Sequence, residues 1–346
     1  MNYYLKCTKC GKVYERNYNM QICDKCDGIL EVVYNEKVPY IEHANSFWDF
    51  KPILPYGKYR EFEVGLTKVI PGKENRLYLK LETENPTHSF KDRGSIIEIA
   101  KAEEYGFDEV VCASTGNMAY SIAYYAKAYG IKSKIFVSKN ITKDKIEYIR
   151  KTHDADITKI NGDFTEAQKH AERYAKLKNV FLAGDYCYRK EGQKTIMYEI
   201  AKFGFDNVFV PVGNATLLSG ILKALEEIKK SKKNIKLPRI IGIEADNCKP
   251  LYKAFKTGRL EYEKPKTDAD AIAVGYPTFG MQALNLIKKL GGQIITVSDK
   301  EMKKEQELFY DSYGLVAELA GVASIAAYKK IKPDGKSLAI ISGGNV

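Results

Sequence analysis

The chain has 346 residues, 45% of them hydrophobic and 29% charged, with a net charge of +11. Such a length predicts two to three domains with sizeable cores, and the absence of any apolar run long enough to span a bilayer predicts no membrane partner. The charge raises nucleic acid as a partner, but lysines mixed with glutamates along the chain argue against it, and the one dense basic run, residues 229–236, falls where a helix should end and lysines suit its dipole.

The first residues, MNYYLKCTKCGK, carry no apolar segment with a small-residue cleavage site, so a cytoplasmic protein is expected. Residues 1–34 read as a separate unit. Cys7-x-x-Cys10 and Cys23-x-x-Cys26 are two knuckles twelve residues apart, with Gly11 and Gly28 close behind them. Four thiolates so spaced suit a structural Zn²⁺, and the metal would replace a core that 34 residues cannot build. A ribbon of four reduced thiols without metal is the alternative. A catalytic zinc is not expected, because four thiolates leave no position for substrate.

Residues 35–75, with Pro39, Trp48, Pro52, Pro55 and Pro71, show little periodicity and predict an extended arm. From residue 76, short β-rich runs alternate with amphipathic stretches. The strands are expected at 76–82, 109–113, 134–138, 156–160, 207–212, 239–244, 293–298 and 337–342. Helices are expected at 95–105, 118–129, 164–178 and 217–230. This alternation predicts an α/β protein with parallel sheets. The strands are too many for one compact sheet, so two doubly wound domains are expected. The smaller would hold residues 95–185, and the larger residues 76–94 plus 186–346.

Four motifs fall at strand ends, where open α/β sheets bind ligands. NPTHSFKDRG (85–94) places Lys91 between Phe90 and the pair Asp92 and Arg93. A lysine that forms a Schiff base needs a partly desolvated amine, and a nearby cation lowers its pKa further. A surface lysine paired with Asp92 is the plainer reading. ASTGN (113–117) could hold a carboxylate at a helix N-terminus, or be only an N-cap by Ser114 or Thr115. PVGNATLLSG (211–220) could cradle a phosphate after Gly213. It matches neither a dinucleotide fingerprint nor a Walker pattern. SGGN (342–345) could offer the Ser342 hydroxyl to a ring nitrogen.

In this order the four motifs resemble the fold-type II pyridoxal-phosphate enzymes, whose architecture is like that of the tryptophan synthase β chain, and within them the threonine synthase family. NPTHSFKDRG, CASTGNMAYSIAYYA (112–126) and EGQKT (191–195) carry the likeness most strongly, from about residue 64 onward, and an N-terminal cysteine ribbon also occurs in that family. The resemblance implies a lyase of amino-acid biosynthesis that holds pyridoxal 5'-phosphate on Lys91. Phe90, Asn117, Gly213, Asn214, Ala215, Thr216, Leu217 and Ser342 would complete the cofactor site. Ser89, Ser114, Thr115, Asn117 and Arg189 would bind a small amino-acid substrate, with Arg189 on a leaving phosphate. It also implies a homodimer.

The chain departs from the family's pattern at several positions. His88 stands where the family usually has Gly, and the phosphate loop reads GNATL in place of GNAGN. Gly184 stands at the Ser that binds a substrate phosphate, and SGGNV replaces TGHGLKD. The implied activity is conversion of O-phosphohomoserine and water to threonine and phosphate. The departures keep a second activity open, β-elimination or β-replacement on serine, threonine or O-phosphoserine, as in a dehydratase or a cysteate-synthase-like enzyme.

Overall fold

The computed structural model describes residues 2–16, 20–55, 60–114, 116–139, 146, 147, 149, 154–162 and 164–344. The first element is a three-stranded antiparallel ribbon of β1 (Tyr3–Cys7), β2 (Val13–Tyr14) and β3 (Leu30–Tyr34), in the order β2-β1-β3. Alternation along β1 buries Tyr3, Leu5 and Cys7 on one face, with Leu5 opposite Val32 and Cys7 opposite Leu30. The stretch 35–75 contains a 3-10 turn, Phe47–Ile53, that buries Phe47, Trp48 and Phe50. It also supplies β4 (Val69–Pro71), antiparallel to β5 (Leu77–Leu81). Pro71 is tolerated because β4 is an edge strand and Pro donates no ladder hydrogen bond.

Next come α1 (Lys91–Glu104), β6 (Glu109–Ala113), α2 (Asn117–Tyr129), β7 (Lys132–Ser138), β8 (Asp156–Ile160), α3 (Phe164–Lys178) and β9 (Phe181–Leu182). Their strands form a parallel sheet in the order β8-β7-β6-β9, against which α1, α2 and α3 pack.

The rest is α4 (Cys187–Gln193), α5 (Thr195–Ala201), β10 (Asn207–Pro211), α6 (Thr216–Ser231), β11 (Arg239–Ala245), α7 (Pro250–Thr257), α8 (Gly280–Lys289), β12 (Gln293–Val297), α9 (Asp299–Tyr313), α10 (Leu319–Ile331) and β13 (Ser337–Ile341). The larger sheet runs β12-β11-β10-β13-β5-β4 and is parallel except at β4. Strands β10 and β13 are buried at every position, as central parallel strands covered on both faces must be. Leu77, Leu79, Leu81, Phe209, Ile241 and Ile341 share one core cluster with Val322 and Phe309 from the helices. Strand order reverses between β10 and β13, a switch point of the kind at which open sheets bind ligands beyond the strands' carboxyl ends.

The expected two parallel sheets and the ribbon are thus present. By contact density the chain divides into one unit of Met1–Lys37, Lys51–Phe62 and Lys91–Gly192, and a second of Val38–Phe50, Glu63–Phe90 and Gln193–Val346.

Candidate active site

In the second unit, the segments after β10 and β13 leave neighbouring strands at the switch point. Residues 213–217 join β10 to α6. A Cβ at Gly213 would lie 2.5 Å from the Ala271 carbonyl oxygen, so only glycine fits there. Ala215 adopts a left-handed φ of 60° and turns the chain into α6, whose first N–H groups lack intrahelical acceptors. Asn214 fixes the loop from the other side: its Oδ1 accepts from Thr278 Oγ1 (3.2 Å) and its carbonyl accepts from Phe279 N (3.0 Å). Thr216 and Leu217 are buried.

Ser342 follows β13 and is buried. Its carbonyl accepts from Phe90 N at 3.0 Å, Ser89 bridges Gly343, and Gly344 N donates to the His88 carbonyl at 2.9 Å. The strand end thereby pins the residues immediately before Lys91. His88 has a φ of 56°, which accounts for the glycine usual at this position; histidine is among the few other residues that enter this region, and its Nδ1 lies 3.2 Å from the Thr83 carbonyl. Ser89 Oγ at this junction is buried without a hydrogen-bond partner among the described residues, and so, elsewhere in the second unit, are both amide atoms of Gln193. A ligand that supplied the missing partners would remove a penalty of about 1–3 kcal/mol per group.

In the first unit, Lys91 opens α1. Its side chain is 19% exposed, and Nζ lies 3.6 Å from Asp185 Oδ1. Burial lowers the amine's pKa, Asp185 opposes that shift, and Arg189 adds to it. Asp185 sits in the loop between β9 and α4. Gly184 before it has a φ of 151°, which side-chain-bearing residues rarely adopt. Its N–H donates to Glu98 Oε1 (2.9 Å), and its carbonyl accepts from Arg189 Nε (2.8 Å).

The family resemblance implied Arg189 on a substrate phosphate; in the structure its guanidinium is hydrogen-bonded within the protein. It is fully buried and donates to Glu98 Oε2 (2.5 Å), Ser95 Oγ (3.0 Å) and the Lys91 carbonyl (3.1 Å), besides Gly184. Burial pushes the Glu98 carboxyl up to about 7, against the pull of Arg189 and the Gly184 N–H. Helices α1 and α4 meet backbone to backbone, since a Cβ on Gly94 would fall 2.5 Å from Arg189 Cγ and one on Gly192 would fall 1.9 Å from the Arg93 carbonyl oxygen.

Ser114 is buried at the end of β6, where its Oγ accepts from Gly116 N at 3.3 Å, and Asn117 begins α2. Thr115 and Asn345 lie outside the described residues. Asp185, Glu98 and Gln193 were not picked out from the sequence. Gln193 lies inside EGQKT and was the one with a local signal.

The ribbon brings the four expected sulfurs together. Those of Cys7, Cys10, Cys23 and Cys26 all lie within 4.8 Å of one another. Lys9 N and Cys10 N donate to Cys7 Sγ at 3.4 Å, and Tyr14 Oη donates to Cys23 Sγ at 3.0 Å. A Cβ on Gly28 would meet Cys7 Sγ at 2.8 Å, which explains the glycine after the second knuckle. Gln21, between the knuckles and fully buried, reaches out of the ribbon. Its Nε2 donates to the Leu182 carbonyl (2.6 Å), and its Oε1 accepts from Tyr188 N (3.1 Å). Glu31 pairs with Lys190. The ribbon therefore grips both ends of the loop that carries Asp185.

No helix among the described residues is long and apolar enough to cross a membrane. Residues 64–343 match the family model described as pyridoxal-phosphate dependent enzyme. The threonine synthase of Methanosarcina acetivorans is 33% identical, covering 95% of this chain and 87% of that protein. The threonine synthase of Methanocaldococcus jannaschii is also 33% identical, over 95% and 88% of the two chains. Among solved structures, maize serine racemase superposes with a TM-score of 0.72 at 22% identity, over 81% of this chain and 88% of that one, a likeness of fold. The match over nearly the whole length shows that the chain belongs to the pyridoxal-phosphate dependent enzymes and, among them, to the threonine synthase family.

Proposed function

We propose that the chain is a pyridoxal-phosphate dependent threonine synthase or a close paralogue, converting O-phosphohomoserine and water to threonine and phosphate. The observation that carries the reading is the largely buried amine of Lys91 at the head of α1, in a chain similar to threonine synthases over 95% of its length. The residues fit the cofactor: Gly213 admits no side chain, and buried Ser89 and Gln193 lack partners. Lys91 would hold the cofactor covalently. Phe90, Asn117, residues 213–217 and Ser342 would seat it, with the first-turn N–H groups of α6 on its phosphate. When bound, the group supplies an electron sink for charge that develops on the substrate. Lys91 would move protons at the substrate's Cα and Cβ as general base and acid. Ser89, Ser114, Thr115 and Asn117 would orient the substrate. Arg189 we assign to holding Gly184 and Asp185 beside Lys91.

A second reading, β-elimination or β-replacement on serine, threonine or O-phosphoserine, is favoured by one observation. Gly184 offers no hydroxyl, its N–H and the Arg189 guanidinium are already engaged, and the next residue is a carboxylate. Product analysis of the holoenzyme separates the two. Threonine and phosphate from O-phosphohomoserine are expected. A keto acid and ammonia from threonine or serine, with O-phosphohomoserine left unchanged, would move the conclusion to the second reading.

We also propose that the chain works in the cytoplasm as a homodimer, with a ribbon (1–34), an arm (35–75) and two catalytic domains (95–185; 76–94 plus 186–346). One structural Zn²⁺ would sit on Cys7, Cys10, Cys23 and Cys26, whose sulfurs converge with N–H donors already pointing at Cys7. Cys23→Ser is expected to lower the metal content from one per chain to a small fraction of that and to expose the ribbon to protease, since metal ligation is folding energy in so small a unit. Elemental analysis and limited proteolysis read both. Unchanged metal content would exclude this ligand set.

A further inference from the structure

The catalytic amine has a carboxylate beside it that the family motifs do not call for. Asp185 Oδ1 lies 3.6 Å from Lys91 Nζ, and the Asp185 side chain is only 9% exposed. Its loop is fixed on both sides. The Gly184 N–H is held by Glu98, the Gly184 carbonyl by Arg189 Nε, and Tyr186 N donates back to the Gly184 carbonyl at 2.8 Å. A carboxylate placed this firmly is a built feature. We propose that Asp185 is the charge partner of Lys91, a positioning residue that receives the lysine's ammonium and releases the amine for reaction only when the pair gives up its proton.

This inference rests on the reading of Lys91 as the cofactor's amine. Among the described residues, the charged groups that act most strongly on that amine include Asp185 from the β9–α4 loop, Arg189 from α4 and Glu98 from α1. Glu98 and Arg189 neutralise each other at 2.5 Å. Asp185 is the largest of the influences that favour the ammonium form of Lys91. Burial disfavours the charged form of this lysine, and so the form that holds a proton to return. With Asp185 opposite, it can both take a proton and return one, as an amine that works as base and then as acid requires.

The sign follows from the partners. Removing the Asp185 charge takes away the largest influence that opposes burial, so the amine should become free base at lower pH. The test uses apoprotein stripped of cofactor and pyridoxal phosphate itself as the probe. The neutral Lys91 amine adds to the aldehyde carbon, the aldehyde oxygen leaves as water, and added borohydride reduces the C=N bond so that the labelled peptide can be identified by mass. In Asp185→Asn the pH of half-maximal uptake should fall by about 1–3 units, the usual effect of losing an opposite charge at this range. On the acid side uptake becomes at least about tenfold faster. Asp185→Glu should recover most of the shift, and Asp185→Ser gives the same reading if the asparagine variant does not fold. A merely structural defect would lower uptake at every pH and leave the midpoint in place. An unmoved midpoint with Lys91 still labelled overturns the role of Asp185 alone. Labelling at a different lysine in the wild type overturns the functional reading, and this inference with it.

Discussion

Lys91→Ala should yield a protein that folds, fails to retain the visible absorbance of covalently held cofactor, and turns over at least about 10²–10⁴-fold more slowly, the usual contribution of a positioned acid–base group. Two jobs end together in this variant: the attachment itself and the proton transfers assigned to the freed amine. The fold should survive because Lys91 is the first residue of α1 and its side chain is not fully buried. The carbonyl that accepts from Arg189 belongs to the backbone and remains. Absorbance after gel filtration and steady-state turnover with each candidate substrate provide the readout. A variant that keeps the bound chromophore and a near-normal rate would mean that another lysine is the anchor.

Arg189→Ala is expected to behave differently, losing stability before specificity. The side chain's four interactions all go to groups within the protein, and Glu98 would stay behind in a dry site. Breaking such a buried pair costs about 3–5 kcal/mol, because one charge is left uncompensated. Glu98, already raised to about 7 by burial, would then take up a proton near neutral pH and recover part of that loss. The double variant Arg189→Met with Glu98→Leu removes both charges and should be markedly more stable than Arg189→Ala alone. Denaturant midpoints read this comparison. Kinetically, the single variant should lose similar fractions of kcat/KM on phosphorylated and unphosphorylated substrates. A loss confined to phosphate esters would return Arg189 to the substrate.

What could be read from the amino-acid order, and what could not, follows from the range of each interaction. The strands of both sheets were visible as β-rich runs, and 109–113 and 156–160 coincide with β6 and β8. The two-residue β9 was too short to show, and Pro71 disguised β4. Helix α1 starts at Lys91 and not at residue 95 because its first turn, KDRG, looks like a loop. Gly94 is there for close packing on Arg189, which no local pattern reveals. Lys91, Gly213 and Ser342 could be picked out because the motifs around them fall at strand ends and are read locally. Asp185 stands 94 positions beyond Lys91. Arg189 and Glu98 are separated by 91 positions, so neither pairing leaves a spacing to recognise. Nothing in the sequence marked Arg189 as buried, and a basic residue before EGQKT was naturally assigned to an anion.

The grip of Gln21 on the Leu182 carbonyl spans 161 positions. At the usual elongation rate of about 5–20 residues per second, the ribbon leaves the ribosome roughly 8–32 s before its acceptor exists. During that wait the described ribbon residues offer a core of little more than Tyr3, Leu5, Tyr14, Leu30 and Val32 around the cysteine cluster. With the proposed zinc on the four cysteines, metal supply during translation, more than in the finished enzyme, would then decide how much of the nascent chain reaches its native form. Cells starved of zinc while making this protein should accumulate chains cut within the first 34 residues, and zinc restored after synthesis should rescue few of them.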